Sequence, residues 1–130
     1  MSSEWYDAFG GEDFFTDLVA GFYARVVTDD LLRPMYPEDD LGPAERRLRL
    51  FLMQYWGGPT TYGDERGHPR LRMRHAPFPV TQAARDRWLE LMRASLDDNG
   101  ADLDEESRER LWQYLVSAAD AMVNVNPALE

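Results

Sequence analysis

Four runs of apolar residues spaced three and four apart, each shut off by glycine, proline or a turn cluster, restrict this chain to helices packed on helices. In the first run Phe14, Leu18, Phe22 and Val26 lie beside Phe15, Val19, Tyr23 and Val27, so one broad face is apolar and Tyr23 points inward with it. Gly10-Gly11 precedes this helix, Glu12 and Asp13 place acids at its favoured end, and Thr28-Asp29-Asp30 stops it near Val27. In the second, Pro43 occupies a first-turn position and Leu41, Ala44, Leu48, Phe51, Leu52 and Tyr55 repeat up to Gly57-Gly58-Pro59. The third opens at Thr81, a good N-cap, and runs through Trp88, Leu91, Met92, Ser95 and Leu96 to Asn99-Gly100. The fourth starts at Asp104, with Glu105 and Glu106 in its first turn, and carries Leu111, Leu115, Ala118 and Met122 before Pro127. Strand alternation is missing, and so is any repeat with a period of roughly 20–50 residues. The expected class is all-α, with about four main helices.

Two connecting segments carry structure of their own. Leu31 to Tyr36 predicts a single helical turn, cut by Pro34 and stopped at Pro37, which puts Tyr36 at a tight corner. Between Gly58 and Pro79 the breakers Gly63, Gly67, Pro69 and Pro77 exclude a long helix and leave room for one or two turns over Leu71 to His75. An ordered loop of that length usually serves function.

The chain has 130 residues, which suits one domain over 1–130. It contains no cysteine, so disulfide scaffolds, iron–sulfur clusters, thiolate zinc sites and cysteine nucleophiles are excluded. No run approaches the ~18 apolar residues that span a bilayer. The acidic opening MSSEWYDAFGGED lacks the order of a secretion signal, and a cytoplasmic location without membrane insertion is expected. A net charge of −10 argues against nucleic acid or anionic lipid as partner. The charge is uneven, however. Leu41 to Val80 holds seven arginines against Glu45, Asp64 and Glu65, a net +4, while the remainder is −14. Such a belt suits one bounded anion, such as a phosphate or a pair of carboxylates, or else arginines paired with nearby acids.

Few residues stand out as chemically committed. His68 and His75, the only histidines, both lie in the Gly/Pro-rich loop beside the arginines. Tyr23, Tyr36 and Trp88 put polar tips on apolar faces, each explicable alone as a core aromatic with a backbone partner. Nucleophile elbows, phosphate loops and dinucleotide fingerprints are absent from the sequence. The residues by themselves therefore reach a helical domain with a cationic loop.

The run YPEDDLGPAERRLRLFLMQYWGGP (Tyr36 to Pro59), continued by RGHPRLRMRHAPF (Arg66 to Phe78), with Phe22-Tyr23 and RDRW (Arg85 to Trp88), resembles the group II, or O-type, truncated haemoglobins. The likeness covers nearly the whole chain. It implies a shortened globin in which two helix pairs, B/E and G/H, form a two-over-two sandwich around haem b. It also implies that His75 is the proximal ligand of the haem iron, in keeping with the usual imidazole ligation of globins. Tyr23, Tyr36 and Trp88 fall on the family's distal donors, facing the bound gas. Ala44 stands where many globins place a distal histidine or glutamine, Leu48 and Phe51 would pack on the porphyrin, and Arg47, Arg74, His68 or Tyr62 would hold its propionates.

The functional expectation is reversible binding of O2, NO and CO with tight O2 retention. The resemblance is compatible with nitric oxide detoxification, peroxidase-like turnover or oxygen transport, and redox turnover would call on a separate reductase. A haem-based gas sensor acting through a partner, and a cofactor-free interaction module docking through the arginine-rich loop, are the competing readings. The likeness is compatible with homo-oligomers.

Overall fold

A computed structural model describes residues 4–36, 39–68 and 80–124, which form six α-helices and one 3-10 turn. The helices are α1 (Glu4–Phe9), α2 (Gly11–Val26), α3 (Gly42–Tyr55), α4 (Thr61–Arg66), α5 (Gln82–Asn99) and α6 (Glu105–Met122), with the turn at Arg33–Met35. Among the described residues there is no strand. Pro37, Pro127 and the expected turns over Leu71 to His75 lie outside the described residues.

The caps form where the sequence places them. Thr81 Oγ1 accepts from the Ala84 amide at 3.0 Å, and Asp104 Oδ1 accepts from the Ser107 amide at 2.7 Å. Gly10 instead enters α2 at φ 112°, a conformation open to glycine, so the acids Glu12 and Asp13 serve that helix end without a side-chain cap. Two short helices go beyond the periodicity. The segment before Gly10 coils into α1, tied to the end of α3 by the Tyr6 amide donating to Trp56 O at 3.1 Å. Within the breaker-rich loop α4 forms despite Gly63, whose amide donates to Gln54 Oε1 at 2.8 Å. Both are held by tertiary contacts, since six residues make a poor helix alone.

Helix α2 is the axis of the molecule. It packs on α3 and crosses α5, while α5 pairs with α6, which gives the two helix pairs expected from the resemblance. The crossing with α5 is close: a Cβ at Gly21 would strike the Ser95 hydroxyl, which donates to Leu18 O at 2.6 Å. The stripe Phe14, Phe15, Leu18, Val19, Phe22, Tyr23, Val26 is buried along the whole helix, while Val27, just past its end, is exposed. The stripe of α3 also departs from expectation at its end. Tyr55 is 46% exposed and stacks on Tyr114 of α6 at 3.9 Å between ring centroids, and Met53 and Trp56 enter the core nearby.

Candidate functional site

A cavity of about 520 Å³ opens between the C-terminal half of α2, the corner after it, and helices α3 to α6. Its walls are mainly apolar, with Leu48, Phe51 and Leu52 from α3 and Leu115, Ala118 and Met122 from α6. These residues sit at three- and four-residue spacing on the inner faces of their helices, so the same periodicity that builds the core lines the cavity. Ala44 contributes a small side chain one turn before Leu48.

Polar groups enter this apolar space from three elements. Tyr23 comes from α2, Tyr36 from the corner and Trp88 from α5. The Tyr23 and Tyr36 rings meet edge to face at 5.7 Å, and their hydroxyls share a hydrogen bond. Burial, reinforced by the neighbouring Tyr36 phenol, pushes the Tyr23 phenol far above its ordinary range, so it remains a protonated donor; Arg47 acts in the opposite sense. Trp88 packs its ring on Phe22 at 5.1 Å, next in sequence to Tyr23. Two phenols and an indole thus border one cavity.

The rim is cationic. Arg47, Arg66 and Arg85 all line it, and Arg85 is hydrogen-bonded to Asp86 and Asp120. Helix α4 brings Tyr62, 4% exposed, against Phe51 at 5.6 Å, with the Arg66 guanidinium 6.0 Å from its ring centroid. A bidentate pair from Arg46 to Glu65, at 2.6 and 2.7 Å, and the Gln54–Gly63 bond fasten α4 to α3.

The cavity collects Tyr23, Tyr36, Trp88, Ala44, Arg47, Leu48, Phe51 and Tyr62, all singled out from sequence. His68 follows α4, is exposed, and is not among the lining residues. Arg74 and His75 lie outside the described residues. Sequence reasoning does not assign Leu32, Met35, Arg85 and Tyr114 to the site. Leu32 and Met35 carry no usable signal because they sit in a single turn, where periodicity cannot be read; the Leu115 stripe of α6 is legible as core but not as cavity wall. Among the described residues no group of histidines and acids could hold a metal ion by itself, and no helix is long and apolar enough to cross a membrane.

Comparison with known proteins gives this arrangement a family. Residues 4–124 match the bacterial-like globin family. The group 2 truncated haemoglobin YjbI of Bacillus subtilis is 44% identical over 95% of this chain and 90% of its own length. Among solved structures, a thermostable haemoglobin from Thermobifida fusca superposes with a TM-score of 0.90 at 61% identity, covering 93% of this chain and 97% of that one. A truncated oxygen-avid haemoglobin from Bacillus subtilis superposes at 0.85 with 42% identity, over 92% and 98% of the two chains. The chain belongs to the bacterial-like globins, as a group II truncated haemoglobin, with the haem cofactor and diatomic gas ligand that membership of that family implies.

Proposed function

We propose that this chain is a haem b globin of one domain that binds O2, NO and CO reversibly, retains O2 tightly, and works in the cytoplasm. The observation that carries the reading is the convergence of Tyr23, Tyr36 and Trp88 on an apolar cavity with a cationic rim. Those residues fit a flat apolar group with an anionic edge, in a volume within the range of cofactor pockets. Haem, when bound, supplies the iron at which a diatomic gas attaches. The chain's residues do the rest. Ala44, Leu48 and Phe51 pack against the macrocycle and exclude water, while Arg47, Tyr62, His68 or Arg74 pair with its propionates. His75 provides a neutral imidazole for the iron.

Tyr23, Tyr36 and Trp88 hold hydrogen-bond donors toward the gas. A bond to a partly charged acceptor is worth roughly 1.5–3 kcal/mol, or about ten- to a hundredfold in release rate per donor. The contact between the Tyr23 and Tyr36 rings supports this role, since it holds the two phenols side by side at the cavity. The similar haemoglobin from Bacillus subtilis is oxygen-avid, which agrees with the direction. Tight retention suits nitric oxide detoxification or peroxidase-like turnover, fed by a separate reductase, better than bulk transport.

The absorption spectrum of the purified protein tests the reading, taken ferric, reduced, and with O2 or CO, alongside His75→Ala. A strong Soret band that moves with each ligand and is lost or altered in the variant is expected. A protein that stays helical and colourless after haem is added would sink it and leave the arginine-rich loop as a docking site.

A further inference from the structure

Asp29 lies just past α2, and its side chain is only 8% exposed. A carboxylate that enclosed needs strong compensation. Its Oδ2 accepts from the amides of Leu31 at 3.1 Å and Leu32 at 2.8 Å, and its Oδ1 accepts from Arg87 Nη1 of α5 at 2.5 Å. Desolvation pushes the Asp29 carboxyl upward, but the Leu32 amide and the Arg87 guanidinium outweigh it and hold the group below its ordinary range. Asp30 and Glu90 also face Arg87, at 3.3 and 3.7 Å, but both are well exposed and neither reaches the turn amides in these bonds.

The two amides begin the turn that ends at Tyr36. The Arg33 amide donates to Asp29 O at 3.1 Å, the Tyr36 amide donates to Arg33 O at 3.2 Å, and the Arg33 guanidinium closes the corner on Tyr36 O at 3.1 Å and Asp39 O at 3.0 Å. On the other side, Arg87 directly precedes Trp88. Neighbouring residues of a helix point about 100° apart, so the face of α5 that Arg87 ties to the corner adjoins the face that carries Trp88. Trp88 packs on Phe22, Phe22 adjoins Tyr23, and Tyr23 meets Tyr36, so the Asp29–Arg87 bond closes a ring through all three polar aromatics of the cavity.

We infer that Asp29 and Arg87 are positioning residues, which set the placement of Trp88 relative to the Tyr23–Tyr36 pair and thereby tune gas release. The inference rests on the distal role proposed for those aromatics. Neither residue lines the cavity; they act through the corner and through α5.

The test compares Trp88→Phe, Arg87→Met, Asp29→Asn and the Arg87→Met/Asp29→Asn double variant in the haem-loaded protein. Two readouts are taken: O2 release by stopped flow, and the indole N–H signal of Trp88 in ¹⁵N-labelled protein, assigned by its loss in Trp88→Phe. Arg87→Met and Asp29→Asn should each speed release roughly three- to tenfold, short of the roughly ten- to hundredfold of Trp88→Phe, and both should shift the indole signal. The double variant should fall short of the sum of the two single effects, since both changes weaken the Asp29–Arg87 bond while only Asp29→Asn also touches the Leu31 and Leu32 amides. Arg87→Met leaves the Leu31 and Leu32 amides on Asp29, so it remains informative if Asp29→Asn does not fold. Where Trp88→Phe speeds release but the clamp variants change neither release nor the indole signal, the pair is merely structural and the inference falls. If Trp88→Phe leaves release unchanged, the distal reading fails by itself, and the indole signal alone decides whether the clamp places Trp88.

Discussion

The two halves of α2 carry aromatic clusters made of the same residue types, yet one is closed and the other is open. Toward the N-terminus, Phe14 and Phe15 interlock with Phe9, Tyr6 and Trp56, with Phe9 and Trp56 edge to face at 5.0 Å and Tyr6 stacked on Phe15 at 5.8 Å. None of those rings lines the cavity. Seven residues further on, about 10 Å along the axis, Phe22 and Tyr23 meet Trp88 and Tyr36 beside the cavity that Tyr23, Tyr36 and Trp88 line. The difference lies in what covers each half. Helix α1 fills the first with its own aromatic residues, whereas the second is spanned by a turn that bends at Pro34 and is braced from outside by Asp29, Arg33 and Arg87. Packing volume thus separates core from site, while residue type does not.

The contrast can be broken most forcefully at Phe9, which is 2% exposed. Phe9→Ala should cost about 3–5 kcal/mol of stability in chemical denaturation, because the closed cluster cannot collapse into the gap. A loss under about 1 kcal/mol would mean that this end is not close-packed. Tyr23→Phe is the counterpart in the open region. It should speed O2 release by about ten- to a hundredfold in stopped flow, through loss of a donor worth roughly 1.5–3 kcal/mol. Unchanged release would remove Tyr23 from the distal role.

A smaller effect concerns alkali. The folded state keeps the Tyr23 proton well above the pH near 10 at which an unfolded phenol ionises. The stabilisation is therefore complete below that pH and is lost as pH rises toward the folded value. Unfolding free energy should fall by about 1.4 kcal/mol per pH unit above pH 10 on account of this one group. Denaturation curves between neutral pH and pH 11 should show that slope reduced in Tyr23→Phe. The smallest effect is expected at Trp56, whose buried indole N–H has no acceptor among the described residues. Trp56→Phe should cost less than about 1 kcal/mol, since part of the lost packing is offset by removing an unsatisfied donor. A markedly larger loss by thermal or chemical melting would show that the N–H is satisfied in solution.

Much of this architecture is legible without coordinates. The apolar spacing locates α2, α3, α5 and α6, and Thr81 and Asp104 cap their helices as the local chemistry requires. Eight of the expected site residues border the same cavity, because inward-facing positions on helices converge once those helices pack. Helices α1 and α4 escape notice, since six-residue segments carry too little periodicity and depend on Trp56 and Gln54 for partners. Tyr55 reads as a buried member of its stripe but is not one, because the helix ends there and the ring turns outward onto Tyr114.

What the sequence alone determined is whatever depends on neighbours within a turn or two: helix periods, caps, breakers, and which side of each helix is apolar. Tertiary structure decided the rest. Arg87 reaches Asp29 across 58 residues, and Ser95 reaches Leu18 across 77, distances over which no local spacing rule operates. The cavity exists for the same reason. Its volume is set by how closely α2 crosses α5 and how far the braced corner stands from α3 and α6, and those separations are fixed by side chains meeting only after the chain has folded.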